Sequence, residues 1–170
     1  MCYQLLVASV LTLSEVRAML PAGVRADALG PGVQDPYRAL LPGAQTAVVL
    51  RAGHCACGLL EHRFRAAHTD EAHLRERYRR LGATRTSIVR AIERHRRSVA
   101  HAPRAHPHAL ARLATEHARN AGPSAWLLGF SVDDVPPAIP GIAPITRSAA
   151  QVVADPEGWL VEGPVMLVTP

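Results

Sequence analysis

The chain has 170 residues, of which 48% are hydrophobic, enough to build the core of one ordinary domain and too many for an intrinsically disordered protein. No run of 18 apolar residues occurs, and the first residues lack the positive charge and cleavage site of a secretory signal, so a transmembrane helix and a secreted protein are both disfavoured. We therefore expect a cytoplasmic protein whose cysteines are thiols or metal ligands rather than disulfides.

The charge is concentrated in one region of the chain. All 19 basic residues are arginine, as is typical of proteins from GC-rich bacterial genomes, and the formal net charge is +5. Twelve of these arginines lie between Arg63 and Arg104 with only four acidic residues, a local charge of +8, whereas the seven arginines and ten acidic residues elsewhere give −3. The sequence therefore predicts a basic block on a mildly acidic body.

The N-terminal part of the chain predicts alternating strands and helices. Residues 3–10 form an apolar run that suits a buried strand, and a short amphipathic helix follows over residues 14–21. Residues 24–44 are rich in Gly, Pro and Asp and predict a loop that holds one helical turn at residues 35–37. Residues 46–50 predict the next strand.

The middle of the chain predicts three helices. The first spans residues 69–82 and ends at Gly82, a typical C-cap. The second begins near Thr84, and the third begins at about residue 107 and is ended by residues 120–123. His117 lies on the apolar face of the third helix, so we expect it to be a hydrogen-bonded core histidine.

The C-terminal part predicts further strands around a proline-rich loop. Residues 124–130 suit a central strand, and the prolines of residues 132–144 predict an extended loop that is neither helix nor interior strand. The remaining strands are predicted at residues 145–154, 159–161 and 165–168, the last two as a hairpin.

These elements define the expected fold. Strands at both ends of the chain and helices in its middle predict a single α+β domain over residues 1–170. We expect one mixed or antiparallel sheet with a central group of about three helices packed on one face, and a basic helical segment at about residues 63–120.

The motif GHCACG at residues 53–58 holds two of the three cysteines. In a strand, the alternation of side chains places Cys55 and Cys57 on the same face, and Cys2 beside the first strand could bring a third sulfur to them. Three thiolates suit zinc, copper or iron, with His54 and His62 as flanking ligands. The leading prediction is a metal-binding or thiol-redox protein that uses this cluster; the alternative is that the cysteines are small core residues.

Cys2 alone predicts a second kind of chemistry. Removal of Met1 would leave a cysteine whose own α-amino group is a nearby base. In this respect the start of the chain resembles glutamine amidotransferases of the N-terminal nucleophile type, which begin Met-Cys-Gly, although Tyr3 follows here. The resemblance implies that Cys2 is a catalytic nucleophile. An enzyme with a small-molecule pocket beneath the loop at residues 132–144 is a further alternative.

The basic block predicts a different class of function. Residues 78–97 have the outline of a helix-turn-helix, in which polar side chains at residues 84–87 would reach base edges. Tyr78 departs from that motif, which needs a small residue there for close helix packing. The alternative function is therefore binding of nucleic acid or an acidic partner by the helices at residues 69–100, and a solvated hairpin without a ligand stays open. The expected contact residues are Arg85, Arg90, Arg94 and Arg97.

Overall fold

The computed structural model describes residues 2–53, 56–60, 71–101, 108–131 and 136–170, without the side chains of residues 2, 71, 73, 94, 95, 97–101 and 131. The strands in these ranges are β1 (Cys2–Ser9), β2 (Val24–Ala28), β3 (Thr46–Ala52), β4 (Ser124–Ser131), β5 (Ile145–Ser148) and β6 (Val165–Thr169). The helices are α1 (Leu13–Met19), α2 (Gln34–Arg38), α3 (Glu71–Arg80), α4 (Arg85–His101), α5 (Ala109–Ala121) and α6 (Ala149–Ala154), and Ala56–Leu59 form a 3-10 turn.

The described strands form one mixed sheet of six strands in the order β2-β3-β1-β4-β6-β5. All neighbours are antiparallel except β5 and β6, which are parallel. β1 lies between β3 and β4 and is buried along residues 3–9, which explains its continuous apolar sequence. The predicted α+β class and the predicted single sheet are confirmed.

Side chains of β1 point alternately to the two faces of the sheet, and each face has its own hydrophobic core. Tyr3, Leu5 and Val7 belong to a core that includes buried residues of α1, α5 and α6. Leu6 and Ala8 belong to a second core, which α2 and its flanking loops cover. The predicted packing of about three central helices on one face is not confirmed, because described helices cover both faces.

Helices α3 and α4 pack through a cluster of their own. Leu74 and Tyr78 of α3 contact Ile88, Ala91 and Ile92 of α4, and Phe130 of β4 packs against this cluster. Tyr78 stacks on Phe130 with their ring centroids 5.3 Å apart. This aromatic contact connects α3 to the end of β4.

Candidate functional site

The described residues do not form the predicted cysteine cluster. Among the described residues, no group of three or more His, Cys, Asp or Glu side chains could hold a metal ion. Gly53 has a positive φ of 72°, and the chain then enters the 3-10 turn at Ala56–Leu59 instead of a strand. The same-face argument for Cys55 and Cys57 therefore fails, and the prediction of a metal-binding or thiol-redox protein is wrong.

Of the residues in that prediction, the structure describes Cys57 and the backbone of Cys2. Cys57 is buried, with 3% of its surface exposed, and belongs to the main core, as the alternative prediction of a small core residue expected. The backbone of Cys2 begins β1, but its side chain lies outside the described residues, as do His54, Cys55 and His62. The predicted nucleophilic role of Cys2 is not tested.

The basic helices form a well-defined hairpin. The N–H of Gly82 donates to the carbonyl of Arg79 at 2.9 Å, and the N–H of Ala83 donates to that of Tyr78 at 3.1 Å. This pair of bonds is a Schellman motif, and the positive φ of Gly82, 75°, fits the position after the helix end. The predicted glycine stop of α3 is confirmed.

The start of α4 is capped by Thr84. Its Oγ1 accepts the N–H of Ser87 at 3.2 Å and donates to the Ser87 hydroxyl at 3.0 Å. Both hydroxyls are therefore engaged with each other, whereas Arg85 and Thr86 are exposed. This arrangement disfavours the predicted reading of base edges by Thr84 and Ser87.

Tyr78 occupies the helix interface that the helix-turn-helix pattern reserves for a small residue. It is 1% exposed, and the facing helix contributes Ala91, which is fully buried, to the same cluster. The small residue thus lies on α4 instead of α3, so the bulky side chain is accommodated. The mismatch changes the packing of the hairpin without preventing it.

A groove of about 590 Å³ lies between the two basic helices. Arg75 and Arg79 line it from α3, Arg85 lines it from the start of α4, and all three are exposed. The remaining lining residues are apolar: Ala83, Ile88 and Val89. We call this surface the arginine groove.

Helical spacing explains why these arginines face the groove. Arg75 and Arg79 are four residues apart, so they lie on one stripe of α3, about 100° from the stripe of buried residues that includes Tyr78. Glu76 pairs with Arg79 at 3.3 Å and with Arg80 at 3.5 Å on the exposed surface, where such pairs contribute little to stability. Among the described lining residues of the arginine groove, none is acidic.

Arg77 lies on the opposite flank of α3 and makes a polar cluster with the sheet. Its Nη1 donates to the hydroxyl of Tyr3 at 2.7 Å, and its Nη2 pairs with Oε1 of Glu162. The Tyr3 hydroxyl donates in turn to Oε2 of Glu162 at 2.9 Å. The guanidinium carbon lies 4.4 Å from the ring centroid of Phe130. We call these contacts the Arg77 clasp.

The clasp affects the ionisation of its members. Burial first, and then the neighbouring Glu162 carboxylate, raise the pKa of Tyr3, so its hydroxyl stays protonated and remains a donor. Burial alone would lower the pKa of Arg77, but its hydrogen bond to Glu162 and its contacts with Tyr3 raise that pKa above its ordinary value. The clasp is therefore an ion pair whose two members both bind the neutral hydroxyl of Tyr3.

Ser9 and His117 have the chemistry of a nucleophile and a base. Ser9 Oγ lies 2.6 Å from Nε2 of His117, and Nδ1 lies 3.1 Å from the Gly122 carbonyl oxygen. A catalytic pair must reach a substrate, however, and the exposed fractions here are 0% for Ser9 and 3% for His117. The pair is therefore structural, and the predicted hydrogen-bonded core histidine is confirmed.

A second groove, of about 250 Å³, lies between α5 and α6. Its charged lining is mixed, because Arg112 pairs with Glu116 at 3.8 Å and Arg119 follows on the same helix face. This groove lacks the one-sided charge of the arginine groove. Its exposed residues provide matched controls for substitutions made there.

Comparison with known proteins gives no match: no family model, no curated protein and no solved structure is significantly similar to this chain. In the ranges that the structure describes, no helix combines the length and the apolar composition needed to cross a membrane. The arginine groove is the candidate functional site, because three exposed arginines from two helices line it.

Proposed function

We propose that this protein binds nucleic acid through the arginine groove, with its arginines on the phosphate backbone. The observation that carries the proposal is the convergence of Arg75, Arg79 and Arg85, from two different helices, on one groove. Guanidinium groups are planar forks that match phosphate oxygens with two parallel hydrogen bonds. Three such groups side by side suit a ligand that carries several regularly spaced anions.

The surroundings of the groove favour a polyanion over a single anionic group. Arg80, Arg90 and Arg96 are also exposed on α3 and α4 and extend the positive surface beyond the groove. Residues 71–101 carry nine arginines and three acidic residues. At about 1.5 Å per residue, the 17 residues of α4 reach about 25 Å, which is the length of about seven base pairs.

The side chains of the groove favour contacts to the backbone over reading of bases. Thr84 and Ser87 are engaged in the helix cap, as described above, and Ala83 and Val89 offer apolar contact to sugars. Phosphate contacts position a protein on nucleic acid without reading its sequence. We therefore expect binding that depends strongly on salt and weakly on sequence.

The arginines predicted to contact nucleic acid differ in their relation to the groove. Arg85 lines the groove, and Arg90 lies on the same helix outside it. The side chains of Arg94 and Arg97 lie outside the described residues, so their contacts stay predictions. Arg75 and Arg79 are added to the proposed contact set.

The test is fluorescence anisotropy of a labelled DNA duplex of about 20 base pairs, measured from about 50 mM to about 200 mM salt. We expect Arg79→Gln and Arg85→Gln each to weaken binding about tenfold, the value of one charge-assisted hydrogen bond, and to reduce the salt slope by about one. Arg119→Gln, the same change in the second groove, is the matched control and should leave affinity nearly unchanged.

Two outcomes would reject the proposal. One is the absence of salt-dependent binding at the lowest salt concentration. The other is an equal effect of the control and the groove variants, since general loss of positive charge would then explain the result. Displacement of the duplex by polyglutamate at matched charge concentration would instead indicate that the groove takes acidic proteins.

A further inference from the structure

We infer that Tyr3 and Glu162 are positioning residues for nucleic-acid binding: by holding Arg77, they set the rotation of α3 and so aim Arg75 and Arg79 into the arginine groove. This inference rests on the proposed function. It assigns a role in binding to two residues that lie on the sheet and not in the groove. Glu162 is negatively charged and would by itself repel nucleic acid. We nevertheless expect it to strengthen binding, because it holds Arg77.

The geometry of α3 carries the inference. Successive residues in a helix are rotated by about 100°, so Arg77 and Arg79 lie on opposite sides of Tyr78. Tyr78 faces the buried cluster, Arg79 faces the groove, and Arg77 faces the sheet. A small rotation of the helix about its axis would therefore move the clasp and the groove arginines together.

Two kinds of contact hold the rotation of α3. The buried side chains of Leu74 and Tyr78 turn one stripe of the helix toward the apolar cluster. The ion pair between Arg77 and Glu162 is directional, and the Tyr3 hydroxyl bridges its two members. The clasp thus adds a directional polar contact on the flank of α3 beside that stripe.

The backbone on the sheet side of the clasp is anchored. Glu162 forms a β-bridge with Leu128 of β4, and the Gly163 N–H donates to the Leu128 carbonyl at 3.0 Å. Tyr3 lies opposite Phe130 in the β1–β4 register, with their rings in edge-to-face contact at 5.1 Å. Both partners of Arg77 are therefore held by the pairing of their backbones with β4.

The decisive variant is Glu162→Gln, measured in the duplex-binding assay described above. Loss of a negative charge would strengthen binding to a polyanion if electrostatics alone mattered. We expect the reverse: affinity should fall about tenfold, and the salt slope should decrease by up to about two because Arg75 and Arg79 are displaced. Glu116→Gln, which also removes a glutamate paired with an arginine, should leave binding unchanged or slightly tighter.

A double-mutant cycle separates positioning from a general loss of structure. Glu162→Gln should be non-additive with Arg79→Gln, which changes the same helix, and additive with Arg85→Gln, which changes α4. If Glu162→Gln only reduced the folded fraction of the protein, its effect on affinity would be the same in combination with either arginine variant. Tyr3→Phe, which keeps the ring and the ion pair, should give a smaller loss in the same direction and guards against failure of Glu162→Gln to fold.

The outcomes distinguish this inference from the proposed function. The positioning role is overturned if Arg79→Gln and Arg85→Gln weaken binding while Glu162→Gln does not. It is also overturned if the effect of Glu162→Gln on affinity is additive with both arginine variants. In either case the proposal that the groove binds nucleic acid still stands. If the wild-type protein shows no salt-dependent binding, both are overturned.

Discussion

Ser9 and His117 join the central strand to helix α5 through a buried hydrogen bond of 2.6 Å between Oγ and Nε2. The Gly122 carbonyl can only accept, so Nδ1 of His117 carries the proton and Nε2 accepts from the serine hydroxyl. Ser9 Oγ also accepts the N–H of Leu11 at 2.9 Å. Every polar atom of this pair has a partner only while the imidazole is neutral.

The first prediction concerns pH. Burial lowers the pKa of His117 below its ordinary value of 6.5, and its hydrogen bond to Gly122 opposes this only in part. The unfolded chain therefore binds a proton near pH 6.5 before the folded protein does, so the free energy of unfolding falls as the pH drops below that value. The slope is at most about 1.4 kcal/mol per pH unit, and stability is unaffected by this group at higher pH.

The measurement is urea unfolding between about pH 7.5 and pH 5, for the wild type and for His117→Gln. Titration of other histidines cancels in the difference between the two proteins. The difference between the two free energies of unfolding should be constant above pH 6.5 and shrink below it. A difference that stays flat to pH 5 would contradict the prediction, and the pH dependence of the His117 ring signals in NMR provides a check if the variant does not fold.

The second prediction concerns Gly122, which holds the other end of the imidazole. Its φ of 101° and ψ of −163° are accessible essentially to glycine alone, and no atom lies within 4 Å of an added Cβ. Gly122→Ala should therefore cost about 1–3 kcal/mol through backbone strain without a steric clash. Gly30→Ala, which also has open space but no positive φ, should be neutral or stabilising. Equal unfolding midpoints for Gly122→Ala and Gly30→Ala would show that alanine at position 122 causes no backbone strain.

Sequence patterns predicted best those elements whose signal is strictly local. The apolar runs of β1, β3 and β4 and the helical period of α5 were sufficient, because burial decides those segments. Strand β2 is not among the predicted elements although V-R-A-D-A alternates, because its flanking glycines and prolines favour a loop. Helix α6 was predicted as a strand, but Ser148 and Gln151 form a capping box that marks a helix start.

The candidate site could be predicted only in part, for physical reasons. The number of arginines indicates a basic surface, and Arg85, one of the predicted contact residues, lines the groove. Arg75 and Arg79 were missed although their spacing of four places both on one helix face. The pairing of Arg77 with Glu162 spans 85 positions and follows from the order of strands, which no local pattern contains.

The third prediction concerns Gly129, where β4 meets the described end of the proline-rich loop. A Cβ at this position would overlap Cβ of Pro137 and lie 2.8 Å from its Cγ. Pro137 has little room to move, because it is buried and its carbonyl accepts the Tyr37 hydroxyl at 2.9 Å. Gly129→Ala should therefore destabilise the protein by about 1–3 kcal/mol.

The matched control is Gly141→Ala, in the same loop, where an added Cβ meets nothing within 4 Å. Urea midpoints of the two variants and the wild type provide the test. A wild-type midpoint for Gly129→Ala would show that the loop can move away from β4 at little cost. In that case the contact between Tyr37 and Pro137 would not restrain the loop.

The last prediction concerns the cap of helix α1. Glu15 Oε2 accepts the hydroxyl of Thr12 at 2.7 Å and the backbone N–H of Thr12 at 2.8 Å, and these bonds lower the pKa of Glu15 below 4.5, with the hydroxyl the stronger cause. Thr12→Val removes the hydroxyl and keeps the backbone donor. The pKa of Glu15 should therefore rise without reaching 4.5, as measured by NMR titration of its side-chain carbon. Because the folded pKa is the lower one, the cap stabilises α1 above pH 4.5 and is lost as the pH falls through that folded value. An unchanged pKa in Thr12→Val would show that the backbone bond alone holds the carboxylate.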